Sequence, residues 1–138
     1  MYFPDMGTTT QVIDGPQIRA VGWLDALHPF STGSVEAPVL DRIRVFAKAW
    51  GASGQALGWG AFAGPHTCDL CGAFRASGNF GVPHGDVLFV CPEMIVHYVA
   101  EHGYCPPPAF VAAITDAALP GSEAYAIAAA PFHRRAAP

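Results

Sequence analysis

Apolar residues recur at two different periods along this chain, and the changes between them outline its elements. Val39, Ile43, Phe46 and Trp50 fall at i, i+4, i+7 and i+11, the stripe of an amphipathic helix whose charged residues Asp41, Arg42, Arg44 and Lys48 form the solvated face. Pro38 suits the first turn, where its missing N–H has no intrahelical partner. Glu36 favours the positive end of the helix dipole, and Gly51 can close the helix in the left-handed conformation. Upstream, Ile18 to Leu24 reads as a strand after a turn at Asp14-Gly15-Pro16, and His28 to Gly33 reads as loop. Residues 51 to 65 carry five glycines and no charge, which predicts a loop. Without a GK[ST] ending that loop is not a phosphate cradle.

Further on, Ala73 to Val82 and Asp86 to Cys91 read as two strands of a hairpin around Pro83-His84-Gly85. Pro92 and Glu93 are favourable first-turn residues for a helix that Gly103 closes, with Ile95, Tyr98, Val99 and His102 as its apolar stripe. A last helix from Pro107 or Pro108 carries Phe110, Ala113, Ile114 and Ala117 until Leu119-Pro120-Gly121 stops it. Glu123 to Ala130 reads as another helical turn or two, and His133-Arg134-Arg135 as loose chain. The expected fold is α+β. A small, mainly antiparallel sheet (18–24, 73–82, 86–91) is packed by helices near 38–50, 92–102 and 107–119. One domain, 1–138, is expected, with a finger-like unit at about 66–105 and a loose tail from about 120.

Composition changes this picture in two respects. Of 138 residues, 51% are hydrophobic and 13% charged, against about 25% charged in an average globular protein. That is too apolar for disorder and points to a surface covered by a partner or by a second copy, around Trp59 and Phe62. The start, Met1 to Met6, lacks the basic region and apolar run of a secretion signal. A soluble cytoplasmic protein is expected, whose four cysteines serve a metal in preference to disulfides.

The chemistry lies in Cys68-Asp-Leu-Cys71 and in His97 and His102. Two thiolates and two imidazoles at such spacing are the usual ligands of one tetrahedral zinc ion. A CxxC turn points both sulfurs at one centre, and Gly72 leaves room for amide hydrogens to approach them. Knuckle, hairpin and helix follow in the order of a zinc finger, with a spacer about twice as long as in the common nucleic-acid-binding type. Residues five apart on a regular helix lie about 140° apart around its axis, so the last turn before Gly103 has to loosen for both histidines to face one ion. His66 is the rival ligand, or a group supporting one, with Cys91 and Cys105 behind it. His28 and His84 read as plain loop residues.

Four available ligands favour a closed structural site. A zinc-dependent hydrolase with Glu101 as general base is the first alternative, although His97 to His102 matches neither HExxH nor HxxEH. A nucleic-acid-binding finger is the second. Against it, Arg75 alone faces Asp69, Asp86, Glu93 and Glu101 between His66 and Cys105, and the formal net charge is -4.

Tyr2-Phe3-Pro4-Asp5, Val21-Gly22-Trp23-Leu24, His28-Pro29-Phe30, His66-x-Cys68-x-x-Cys71 and His97-Tyr98-Val99-x-x-His102-Gly103-Tyr104 with Pro106-Pro107 resemble a family of small, uncharacterised bacterial proteins over most of residues 2 to 115. The resemblance implies a bacterial cytosolic protein with a zinc site on Cys68, Cys71, His97 and His102, and it implies no activity. The function expected from the sequence is therefore that of a small zinc-binding protein, one zinc per chain, acting as a protein-interaction or accessory module.

Overall fold

The computed structural model describes residues 1–59 and 65–134. Phe62 and Arg135, named above, lie outside them. The described chain is α+β, in the order β1 (Ile18–Ala20), α1 (Ala37–Lys48), α2 (Trp50–Leu57), β2 (His66–Thr67), β3 (Arg75–Ala76), β4 (Asn79–His84), β5 (Val87–Pro92), α3 (Ile95–His102), α4 (Pro108–Asp116) and α5 (Glu123–Ala129), with a 3-10 turn at Ala130–Phe132.

The central sheet has the order β1-β5-β4. β4 and β5 form the expected antiparallel hairpin, closed by Gly85 at φ 59. β1 runs parallel to β5, with Arg19 opposite Phe89, so only one of the two pairings is antiparallel. β5 is buried along nearly its whole length, as a central strand with both faces covered has to be. Phe80 and Phe89 point toward α1 and α4, where they meet Phe46 and Phe110. Gly81 faces the other way, against Leu57 of α2.

Several local expectations are corrected. Residues 51–57 are helical. The chain bends at Ala49 (φ -95, ψ 24), and Gly51 lies inside α2, which ends instead at Gly58 with φ 72. Small residues on both partners make this helix possible: a Cβ on Gly78 would sit 2.3 Å from Trp50, and one on Gly81 would sit 2.5 Å from Leu57. Close packing on a glycine-lined strand thus overrides poor helix propensity. The expected 73–82 strand is two strands in different sheets, with β3 pairing with β2. It breaks at Ser77-Gly78, whose N–H groups donate to the Glu93 carboxylate at 3.2 and 2.9 Å. Pro92 and Glu93 accordingly end β5 and brace that break, and the next helix starts at Ile95.

Arg42 is not a solvated residue. Its Nε donates to the Ile114 carbonyl at 3.0 Å and its Nη2 to that of Ala117, closing the C-terminal end of α4. Residues 123–134, read from the sequence as helical turns and loose chain, are packed. Tyr125, Ala129 and Phe132 are buried, and the Arg134 N–H donates to the Leu57 carbonyl at 2.8 Å.

Both edges of the sheet are occupied. On β1, Ala20 exchanges backbone hydrogen bonds with Met6 (2.7 Å) and Gly7 (2.8 Å). On β4, the Gly81 N–H donates to Ser53 Oγ at 2.8 Å and Tyr125 Oη donates to the Gly81 carbonyl at 2.6 Å; Ser53 Oγ and Tyr125 Oη are 2.7 Å apart. These bonds close a buried ring in which the Ser53 hydroxyl donates to Tyr125 Oη. Tyr125→Phe strands both the Gly81 carbonyl and the Ser53 hydroxyl, so urea unfolding should show a loss of about 1–3 kcal/mol. An unchanged midpoint would show that the ring contributes nothing.

Candidate metal centre

The knuckle begins where β2 and β3 close a two-rung ribbon. The Cys68 N–H donates to the Phe74 carbonyl at 2.7 Å, and the Gly72 N–H donates to the Cys68 carbonyl at 2.8 Å. Gly72 has φ 68 with open space where a Cβ would lie, the left-handed residue this turn requires. Asp69 ties the knuckle to the preceding loop by accepting the Ala26 N–H at 2.7 Å.

The two histidines come from α3, whose Tyr98 and Val99 anchor it in the core while His97 and His102 face the knuckle. The end of this helix is widened. The Gly103 N–H reaches back to the Tyr98 carbonyl, as does that of Tyr104 at 3.1 Å, and Gly103 takes φ 67. Reaches of five and six residues, in place of four, add a residue to the last turn and carry His102 round toward His97.

His97 Nε2 and His102 Nε2 lie 3.1 Å apart, Cys71 Sγ lies 3.4 Å from His97 Nε2, and Cys68 Sγ lies 3.5 Å from His102 Nε2. All four ligand atoms fall within 4.8 Å of one another. Tetrahedral ligands at about 2.3 Å for sulfur and about 2.0 Å for nitrogen are separated by about 3.3–3.8 Å. These three separations are close to the edges of such a tetrahedron. Cys68, Cys71, His97 and His102 are thus positioned to hold a metal ion. Electron pairs converging at these distances repel one another unless a cation or protons lie among them.

Of the other candidates, His66 is half-buried in β2 opposite Ala76, Cys91 is wholly buried in β5, and Cys105 packs beside Gly33. Among the described residues none of the three joins the cluster. Glu101 is exposed. The residue missed in the sequence is Phe74, whose ring stacks on His97 at 4.5 Å and 6° and so fixes the imidazole plane. An aromatic residue three positions after Cys71 was the available signal.

Burial pushes the Cys68 thiol above its ordinary value, while the N–H groups of Leu70 and Cys71 act the other way by favouring the thiolate. A bound cation would offset the burial. Burial, and then His102, hold the His97 imidazole below its usual range, so the folded chain favours the neutral, ligating form. A histidine depressed in this way contributes stability above its unfolded pKa of about 6.5, and that contribution is lost as pH falls below it. Protons also compete directly with metal for all four ligands. Metal bound at pH 7.5 should therefore dissociate on acidification through about pH 6 to 4. Titration in a chromogenic chelator would show this, and retention throughout would contradict the site.

The comparisons with known proteins bear on the same region. A family model described as a domain of unknown function, DUF7919, matches residues 1–115. The chain belongs to this family. No curated protein and no solved structure matches it. The DUF7919 match contains all four cluster residues and every motif of the resemblance noted above, and it ends just before the last residue of α4. Several of those motifs meet in space. Asp5 accepts the Gly22 N–H at 3.1 Å and the Tyr104 hydroxyl at 2.7 Å, and Trp23 Nε1 donates to the Val90 carbonyl at 2.9 Å. They hold the N-terminal segment, β1 and the end of α3 together, which fixes the helix that carries the histidines.

Proposed function

We propose that this chain is a small zinc protein in which Cys68, Cys71, His97 and His102 hold one structural ion, and that it serves as an accessory module binding another protein or a second copy of itself. The observation that carries the reading is the convergence of four ligand atoms within 4.8 Å of one another, three of the separations being close to tetrahedral edges. A balanced set of two sulfurs and two nitrogens favours zinc among the common divalent ions, and four protein ligands leave no position for a substrate. Such an ion would staple the knuckle to α3 and, through Asp69, to the loop at Ala26.

The interaction half of the reading is supported by the charged fraction of 13% and by exposed apolar side chains, Leu27 at 86% and Ile127 at 67% among them. No helix among the described residues is long and apolar enough to cross a membrane. Elemental analysis and native mass spectrometry of the purified chain test both halves. One zinc per chain, together with a dimer or a co-purified protein, supports the proposal. A metal-free protein, or a monomer at all concentrations with no associated protein, overturns the corresponding half.

A further inference from the structure

We propose that Cys68 and Cys71 form a peroxide-responsive dithiol whose oxidation to a disulfide releases the ion, making occupancy of the centre a redox signal. The inference rests on the reading of the cluster as a metal centre. Its own support is the asymmetry of the two cysteines. Cys68 is 1% exposed, whereas Cys71 and the three residues after it, Gly72 to Phe74, are all exposed. An oxidant meets Cys71 first. The second sulfur is already within 4.8 Å of it, so a short approach of the two side chains is all that an S–S bond requires. An accessible thiolate with a resolving cysteine beside it is the arrangement that converts oxidation into a reversible disulfide, in place of irreversible higher acids.

The chemistry closes without any reagent beyond the peroxide. The Cys71 thiolate attacks one oxygen of hydrogen peroxide, the O–O bond breaks, and hydroxide leaves, giving a sulfenic acid on Cys71. The Cys68 thiolate then attacks that sulfur and displaces a second hydroxide. The two sulfurs lose two electrons and the peroxide gains them. Only His97 and His102 remain as ligands, and two imidazoles alone hold zinc far more weakly than the full set. The staple between knuckle and α3 is then lost. Cys91 is wholly buried and Cys105 lies outside the cluster, so neither can substitute for the pair.

The test uses zinc-loaded full-length protein treated with hydrogen peroxide, with released zinc followed by a chromogenic chelator and thiol state by peptide mass mapping. Release of one zinc per chain, appearance of a Cys68–Cys71 disulfide, and restoration by a dithiol reductant plus zinc are expected. Zinc retained at peroxide levels that already oxidise Cys105 would overturn the proposal, as would sulfinic or sulfonic Cys71 without a disulfide. Cys71→His keeps four ligands and removes the pair. It should hold zinc through the same treatment, and release as fast as from the parent would show that the disulfide is not the cause. Failure to take up zinc before any peroxide is added would instead count against the metal centre itself.

Discussion

Cys68→Ala should abolish stoichiometric zinc uptake and lower the stability of the chain by about 4 kcal/mol or more, the linkage expected for an ion held at about a thousand times its dissociation constant. Structural zinc contributes about 10–16 kcal/mol in isolated finger peptides. Here the ion acts on a domain that also has a buried core running through both sheet faces, so the fold need not vanish with it. At roughly 4 °C per kcal/mol for a chain of this size, the melting temperature should fall by about 15 °C. The comparison that isolates the ion is parent protein stripped with a strong chelator. Because the cysteine side chain is itself small, the stripped parent and the variant should melt within a few degrees of each other. A variant that still carries one zinc, or that melts with the untreated parent, would remove Cys68 from the ligand set.

The second large effect is expected at Gly22. Its φ is 83, and a Cβ there would lie 2.8 Å from both Cδ1 and Cγ1 of Ile95 and 3.2 Å from Ile95 Cβ. Gly22→Ala therefore adds a left-handed backbone penalty of about 1–2 kcal/mol to an overpacking cost of about 1–3 kcal/mol. Ile95 cannot retreat, since it is the first residue of α3 and completely buried. A loss of about 2–5 kcal/mol in denaturant unfolding is expected. Gly121→Ala separates the two contributions, because φ 90 there is accompanied by open space, and only the backbone part should appear. Equal losses at the two positions would mean that the contact with Ile95 carries no weight. Because Ile95 opens the helix that bears both histidines, Gly22→Ala should also weaken zinc binding, which Gly121→Ala should not.

The legible parts of this molecule were those in which a local rule and the tertiary structure agree. The CxxC knuckle could be read because the ligand chemistry demands those side chains whatever surrounds them, and even the widened turn before Gly103 followed from requiring residues five apart to meet. The β4–β5 hairpin came from two apolar runs flanking turn residues, and α1 from its apolar stripe and the proline at its start. The misread parts depend on partners distant in sequence. Helix α2 looks like a loop until Gly78 and Gly81 are seen to leave space for Trp50 and Leu57. Glu93 looks like a helix start until Ser77 and Gly78 are found donating to it. Arg42 sits on the polar side of its helix by periodicity, yet reaches the end of α4. In each case the deciding atom is more than ten residues away, beyond the reach of spacing rules.

Recruitment of other chains is constrained by the way the sheet ends. β4 offers an incoming strand no usable ladder, because both polar groups of Gly81 are already engaged by side chains and Pro83, two residues on and facing the same way, has no N–H to give. The opposite margin is taken by the N-terminal segment. Association by strand addition, whether productive or as runaway polymerisation, is therefore closed at this sheet. A partner meeting this sheet must be gripped through side chains, not through a shared backbone ladder.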